Sequence, residues 1–198
     1  MGTRLSIRQV SYAYDLLAPN AYKVMVDIDK AEMMKPTLSI DLPIHVGLDE
    51  FIDKLLGSTL PADRYEAWRK WGRDIERQLP TLFDDNPDCE GYTNSYRFAD
   101  ELFSQLSSGD VVVTGNGTAY TCTYQAMKVK QGVRVFANQG CAAMGYGLPA
   151  AIGACVSQQS GGRTVCVTGD GSLQMNIQEL QTLVTYRLPL KLFVIENE

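Results

Sequence analysis

Short apolar segments alternate with amphipathic or small-residue segments along residues 95–198. The apolar segments are rich in β-branched residues, which is typical of strands buried on both faces. They are Val111–Thr114, Val133–Phe136, Thr164–Thr168 and Leu190–Ile195. The intervening segments predict helices at about 95–107, 118–129, 142–157 and 176–187. Strands that alternate with helices indicate an α/β fold with a doubly wound parallel sheet.

The last two predicted strands and the helix between them form a crossover unit. A helix of about 13 residues covers about 20 Å, and a six-residue strand covers about the same distance in return. The chain therefore comes back to the edge of the sheet that it left. Asp170 follows the first of these strands and Asn197 follows the second. We expect both side chains at the carboxyl ends of parallel strands, where open α/β sheets bind ligands.

The residue types at this edge suit a metal-bound anion. A carboxylate and an amide carbonyl are hard oxygen donors, as Mg²⁺ prefers, and Mg²⁺ usually takes its remaining oxygens from phosphates and water. Gly171 and Ser172 are predicted to begin a helix, so their N–H groups would face an anion. The alternative is a plain Asp-Gly turn between a strand and a helix, which the position of Asn197 disfavours.

Residues 1–56 are predicted to be the end of a second α/β domain. Tyr22–Ile28 is predicted to be a strand and Leu48–Leu56 a short helix, and one strand with one helix cannot bury a core alone. His45, the only histidine, is expected in a Pro-flanked turn without a catalytic role. This piece therefore either lacks an upstream part or packs on the later domain.

Residues 57–94 are predicted to connect the two domains. A helix should begin near Pro61 and end near Leu79, with Trp68, Trp71 and Ile75 as an apolar seam and arginines on its solvated faces. Residues 81–94 are acidic and rich in turn formers, which favours a linker. The aspartates of this linker are more typical of a solvated loop than of a metal site: Asp84, Asp85 and Asp88.

Composition excludes several classes of function. The 198 residues have a formal net charge of −5, and no basic stripe with interleaved aromatic residues is present, which argues against nucleic-acid binding. No apolar run approaches about 18 residues, so we expect no membrane partner. The first ten residues lack the apolar core of a signal peptide, and the five cysteines form no C-x-x-C pair. A cytoplasmic protein with reduced thiols is the expectation.

Three segments of the second half coincide with the pattern of a known family. They are 139–154 (QGCAAMGYGLPAAIGA), 169–171 (GDG) and 172–180 (SLQMNIQEL). Together they resemble the carboxyl-terminal, diphosphate-binding domain of thiamine-diphosphate enzymes of the acetolactate synthase-like group. The resemblance is strong over residues 93–198, and residues 1–56 resemble the end of that group's central domain more loosely. It implies thiamine diphosphate and Mg²⁺ as cofactors, a carboligase or decarboxylase reaction on 2-keto acids, and a homo-oligomer.

The resemblance also implies roles for individual residues. Asp170 and Asn197 would hold Mg²⁺, with a backbone carbonyl just past Glu198 as a third ligand. The Ala142 carbonyl would accept a hydrogen bond from the aminopyrimidine, and Met144 would support the bent cofactor. The implied cofactor-binding residues are Asn116, Gly117, Thr118, Ala142, Met144, Gly169, Gly171 and Ser172. The alternatives are a core methionine that fills a gap and an ordinary Gly-Asn-Gly turn after a strand.

The family's activating glutamate lies on an amino-terminal domain that has no counterpart in these residues. We therefore expect no catalytic residue in this chain, and residues 95–198 are expected to be a binding domain truncated at its carboxyl end. The flavin contacts of acetolactate synthases would lie largely upstream, so the resemblance does not assign FAD. Two alternatives stay open, a truncated non-catalytic fragment and one subunit of a split enzyme. A simple nucleotide-binding module is disfavoured because Gly-x-Gly-x-x-Gly and P-loop patterns are absent.

Overall fold

The computed structural model describes residues 1–58, 62–82, 90–158 and 161–196 and divides into two compact units, Met1–Asp74 and Ile75–Glu198. The helix of the predicted connecting segment is thus shared between the units. The elements of the first unit are α1 (Ile7–Val10), a 3₁₀ helix (Tyr14–Leu16), β1 (Val24–Asp27), α2 (Lys30–Met34), β2 (Leu42–His45), α3 (Leu48–Leu56) and a second 3₁₀ helix (Ala62–Tyr65). Helix α4 (Glu66–Gln78) crosses the boundary.

The first unit contains a strand where the sequence predicts a turn. β2 pairs in parallel with β1, and its Pro43 lies opposite Met25. Proline is tolerated because β2 is an edge strand of a two-stranded sheet, where one N–H group is not needed for pairing. His45 therefore lies at a strand end, with its Nε2 2.8 Å from the Ile28 carbonyl oxygen. The expectation of a Pro-flanked turn was wrong.

The second unit is built on a four-stranded parallel sheet in the order β4-β3-β5-β6. Its strands are β3 (Val111–Thr114), β4 (Arg134–Phe136), β5 (Thr164–Gly169) and β6 (Leu190–Ile195). Its helices are α5 (Ser95–Ser104), α6 (Gly117–Ala126), α7 (Gly147–Ser157), α8 (Asp170–Gln174) and α9 (Glu179–Tyr186). Four strands were predicted here and all four are present.

Helices cover both faces of this sheet. On one face, Phe103 of α5 and Ala119 of α6 pack against Val112 and Val165 of the central strands. On the other face, Ala151 of α7 packs against Val113 and Cys166. Successive residues of β3 and β5 thus point into opposite cores, which explains why these strands are apolar without interruption. The prediction of a doubly wound α/β fold is confirmed.

Several helix boundaries differ from the prediction. The helix expected from residue 142 begins only at Gly147, because Ala142 has φ 52° and Gly145 has φ 86°. The helix expected from 176 begins at Glu179, and the five-residue α8 precedes it. Helices α5 and α6 are each about one turn shorter at the carboxyl end than predicted.

The apolar seam of α4 is present but lies on the surface. The Trp68 and Trp71 rings stack with centroids 4.7 Å apart, while the two residues remain 68% and 53% exposed. Glu66 forms ion pairs with Arg69 at 2.8 Å and Arg73 at 3.0 Å, so these arginines occupy a solvated face as expected. Among the residues that the structure describes, no helix is long and apolar enough to cross a bilayer. The acidic residues Asp84, Asp85 and Asp88 lie outside the described residues.

Candidate functional site

Three strands of the second unit end at the same edge of the sheet. Gly169 of β5 lies opposite Ile195 of β6, and Thr114 of β3 lies opposite Val167 of β5. Asp170 therefore follows β5 beside the carboxyl end of β6, as the crossover argument predicts. Asn197 lies outside the described residues, so its place in the site stays a prediction.

Two glycines let three segments meet at this edge. The Gly115 N–H donates to the Val167 carbonyl at 2.8 Å. A Cβ on Gly147 would lie 3.1 Å from the Gly115 Cα, and a Cβ on Gly115 would lie 2.8 Å from the Thr168 Oγ1. Both distances are closer than ordinary van der Waals contact, so the loop after β3 and the start of α7 approach each other backbone to backbone.

The amino terminus of α6 carries no side-chain cap within the described chain. Asn116 occupies the N-cap position, but its Nδ2 donates to the Ala142 carbonyl at 3.2 Å. Gly117 has φ 62°, and apart from its chain neighbours and the backbone of its own helix no described atom lies within 4 Å of the position that its Cβ would take. The first N–H groups of a helix have no acceptor within the helix, so those of Gly117 and Thr118 are free to attract an anion.

Asp170 and α8 place a carboxylate beside further uncapped N–H groups. Asp170 is exposed and is the first residue of α8, and Gly169 before it provides no side-chain cap. A Cβ on Gly169 would lie 3.9 Å from the Ile195 carbonyl oxygen, which brings this loop against the end of β6. Gly171 and Ser172 lie in the first turn, as predicted, although the helix begins one residue earlier. The edge thus offers one group for a cation and several for an anion.

Met144 lies next to this loop and is 49% exposed. Its Cε would lie 3.5 Å from a Cβ on Gly171. A methionine that fills a gap in the core would be buried, so that alternative does not describe Met144. The left-handed Ala142 lies two residues before it in the same loop.

Comparison with known proteins decides the family. Residues 115–198 match the family described as "Thiamine pyrophosphate enzyme, C-terminal TPP binding domain". The whole chain is 32% identical over 210 residues to an acetolactate synthase large subunit of Cyanidium caldarium. Residues 115–198 thus belong to the carboxyl-terminal domain family of thiamine-diphosphate enzymes, and the whole chain is similar to acetolactate synthase large subunits.

Other relatives in the group are similar over the same extent. The chain is 29% identical over 201 residues to the acetolactate synthase isozyme 1 large subunit of Escherichia coli K12 and 31% identical over 208 residues to the chloroplastic acetolactate synthase 1 of Zea mays. All of this chain is covered in each comparison. The chain spans about one third of the length of these curated relatives, at 34%, 34% and 31%.

The residues present fit the cofactor of this group. Its diphosphate is an anion, and the α6 and α8 starts offer uncapped N–H groups at one edge of the sheet. Within the described ranges, no three His, Cys, Asp or Glu side chains form a metal cluster. Asp170 is the exposed carboxylate at this edge, and Mg²⁺ is usually bound by one or two carboxylates together with phosphate oxygens.

Asn176 was not predicted as a site residue, yet it contacts the same loop as Ser172. The Gly145 N–H donates to the Ser172 Oγ at 2.9 Å, and the Asn176 Nδ2 donates to the Gly145 carbonyl at 2.9 Å. Asn176 was expected only as the beginning of an amphipathic helix. The spacing of Ser172 and Asn176, four residues apart, could have suggested a shared face, but not which backbone group they would contact.

Proposed function

We propose that this chain binds thiamine diphosphate through Mg²⁺ as part of a carboligase or decarboxylase that acts on 2-keto acids. The observation that carries the proposal is the convergence of the Asp170 carboxylate with two uncapped helix starts at one edge of a parallel sheet. A metal-bound diphosphate has the cation and the anion that these groups would bind.

In this proposal, Asp170 and Asn197 supply oxygen ligands to Mg²⁺. The N–H groups of Gly171 and Ser172 face the diphosphate, and the glycine at 169 lets its backbone approach closely. Asn116, Gly117 and Thr118 form the second contact, at the uncapped start of α6. Asp170 is exposed in the described chain, so its carboxylate is accessible to a metal ion.

Ala142 and Met144 would orient the other end of the cofactor. The Ala142 carbonyl accepts one hydrogen bond from Asn116, and a carbonyl oxygen has a second lone pair for an aminopyrimidine. Met144 presents a half-exposed side chain beside Gly171, where it would support the bent cofactor. When bound, thiamine diphosphate supplies the nucleophilic carbon and the electron sink for 2-keto acid chemistry, while the protein positions it.

The relatives' names support the reaction class, because they are called acetolactate synthases. A 2-keto acid substrate and a homo-oligomeric enzyme belong to the proposal because the family resemblance implies them, and FAD is not part of it. The thiols of Cys122, Cys141, Cys155 and Cys166 are free. Free thiols favour a reducing compartment, so the proposal places the protein in the cytoplasm.

The metal assignment can be tested with Asp170→Asn in the protein expressed from its natural gene. Isothermal titration calorimetry would measure the affinity for thiamine diphosphate in the presence of Mg²⁺. Loss of a direct ligand should weaken binding at least about 100-fold, since even outer-shell changes cost about 10- to 100-fold.

The matched control is Asp100→Asn on α5, a carboxylate that pairs with Lys128 away from the site. Its affinity should equal that of the unmodified protein. Unchanged affinity in Asp170→Asn would refute the role of Asp170. Failure of the unmodified protein to bind thiamine diphosphate with Mg²⁺ would refute the function.

A further inference from the structure

We propose that Asn176 and Ser172 are positioning residues that hold the loop from Ala142 to Gly145 in the conformation that receives the aminopyrimidine end of the cofactor. The inference rests on the proposed function and deepens it. Asn176 thereby gains a role. The segment from Ser172 to Asn176 contributes both to the diphosphate end and to the aminopyrimidine end of the cofactor site.

The first observation is the tight packing around Gly145. This residue is buried and has φ 86°, a conformation that side-chain-bearing residues rarely adopt. A Cβ here would lie 2.6 Å from the Asn176 Nδ2 and 2.9 Å from the Met175 Cβ. The turn after α8 is therefore pressed directly onto the Gly145 backbone.

The second observation is that both polar backbone groups of Gly145 are bonded to side chains. Its N–H donates to the Ser172 Oγ at 2.9 Å, and its carbonyl accepts from the Asn176 Nδ2 at 2.9 Å. Ser172 is only 4% exposed, so water does not readily replace its hydroxyl as a partner. These two side-chain hydrogen bonds take the place of the regular backbone hydrogen bonds that Gly145 does not form with the described residues in its left-handed turn.

The orientation of the Asn176 amide is itself determined by a neighbour. The Gln178 Nε2 donates to the Asn176 Oδ1 at 3.3 Å, which directs the Asn176 Nδ2 toward Gly145. The Asn176 N–H donates to the Leu173 carbonyl at 3.2 Å, which ties the turn back to α8. Asn176 thus presents its donor from a restrained turn.

The far end of the same loop is held by a third side chain. Ala142 has φ 52°, which costs an alanine conformational energy, and its carbonyl accepts from the Asn116 Nδ2 at 3.2 Å. Met144 lies between this anchor and Gly145. Side-chain contacts therefore fix the loop at both ends, and the two proposed contacts to the aminopyrimidine end lie within the fixed stretch.

Ser172 connects the loop at Gly145 to the proposed diphosphate contact. Its side chain holds Gly145, while its backbone N–H lies in the first turn of α8, the proposed diphosphate contact. The diphosphate end and the aminopyrimidine end are thus joined through one residue. A change at Asn176 should affect only the second end, because Asn176 lies beyond the last residue of α8.

The test compares two ligands in the protein expressed from its natural gene. Asn176→Asp replaces the donor that faces the Gly145 carbonyl with an acceptor. Calorimetry with Mg²⁺ would measure the affinities for thiamine diphosphate and for inorganic diphosphate, which lacks the aminopyrimidine. We expect thiamine diphosphate binding to fall roughly five- to tenfold, the equivalent of about one hydrogen bond, and diphosphate binding to stay within about twofold.

Asn20→Asp is the matched control, because it makes the same substitution at an exposed site of the first unit. Ser172→Ala is the second variant: it removes the Oγ that accepts from the Gly145 N–H but keeps the Ser172 backbone N–H, so it carries the same comparison if Asn176→Asp does not fold. Without any ligand, hydrogen exchange of the Gly145 amide should accelerate in Ser172→Ala. The Gly115 amide, which donates to the Val167 carbonyl, should keep its protection.

The outcomes separate this inference from the proposed function. Equal weakening of both ligands would mean that Asn176 only supports the fold, and it would overturn the inference alone. Unchanged thiamine diphosphate affinity in both variants would overturn it as well. Binding of neither ligand by the unmodified protein would overturn the proposed function, and this inference with it.

Discussion

Asp110 and Arg163 form an ion pair of the second unit at the edge of the sheet opposite the candidate site. Asp110 precedes β3, Arg163 precedes β5, and the Arg163 Nη2 lies 2.6 Å from the Asp110 Oδ2. The same carboxylate accepts from the backbone N–H groups of Ser107 at 2.8 Å and of Arg163 at 2.7 Å. One carboxylate thus ties the end of the α5 segment to the starts of two central strands.

We expect Asp110→Asn to lower the free energy of unfolding by about 3 kcal/mol. Breaking a buried ion pair costs about 3–5 kcal/mol because the remaining charge is left without its partner. The lower end applies because the Arg163 side chain is 48% exposed and water partly solvates its guanidinium, whereas Asp110 is 3% exposed. The asparagine amide keeps one acceptor oxygen. Its NH₂ group would face N–H donors that the carboxylate accepts from in the unmodified protein.

The stability difference should also depend on pH. Burial raises the pKa of Asp110, but hydrogen bonds from the Arg163 side chain and from the Ser107 and Arg163 backbone outweigh burial, so the pKa lies below its ordinary value. A carboxyl with a lowered folded-state pKa stabilises the fold above its unfolded-state pKa of about 4. This contribution is lost as the pH falls through the folded-state pKa, so the two proteins should converge in stability below about pH 4.

Urea unfolding followed by circular dichroism at pH 7 and at pH 3 would measure these differences. Asp100→Asn is again the control, since Asp100 pairs with Lys128 at 2.7 Å and the Lys128 side chain is 80% exposed. That substitution should cost less than about 1 kcal/mol. Equal losses in Asp110→Asn and Asp100→Asn, or an Asp110→Asn loss that is the same at both pH values, would refute the reasoning.

Two further predictions concern buried groups near the sheet. The Thr114 Oγ1 is fully buried without a hydrogen-bond partner among the described residues, so Thr114→Val should raise the free energy of unfolding by up to about 1 kcal/mol. Urea unfolding would measure this, and a loss of stability would show that the hydroxyl has a partner. Burial raises the pKa of the Cys166 thiol to about 12, so iodoacetamide at pH 8 should label exposed Cys141 well before Cys166. Peptide mass spectrometry would follow both cysteines, and similar labelling rates would contradict the buried position.

The fold could be predicted from the sequence because its signals are local. Val165 and Val167 face one core while Cys166 faces the other, and this double burial makes the segment apolar throughout. Segment lengths alone predicted that the helix and strand after β5 bring the chain back to the same edge of the sheet. The parallel pairing of β5 with β6 confirms this prediction. Pro43 misled the prediction because proline is typical of turns as well as of edge strands.

The contacts within the candidate site could not be predicted, because they join residues far apart in the chain. Ala142, Ala143 and Met144 are compatible with a helix, and the sequence does not show that Asn176 and Ser172 hydrogen-bond the left-handed Gly145. Asn116 was expected as a cofactor contact or as part of an ordinary Gly-Asn-Gly turn, and neither expectation includes the hydrogen bond that its amide donates to the Ala142 carbonyl. In each case a long-range hydrogen bond outweighs the local preference of the segment.

The close approach of Gly115, Gly147 and Thr168 restricts how this protein can diverge. A methyl group at position 115 would press mainly on the Thr168 side chain, so a smaller residue at 168 could accommodate it. A methyl group at position 147 would instead meet the Gly115 backbone, which has no side chain to lose. Positions 115 and 168 can therefore change as a linked pair during evolution, while position 147 accepts a side chain only if a whole loop moves.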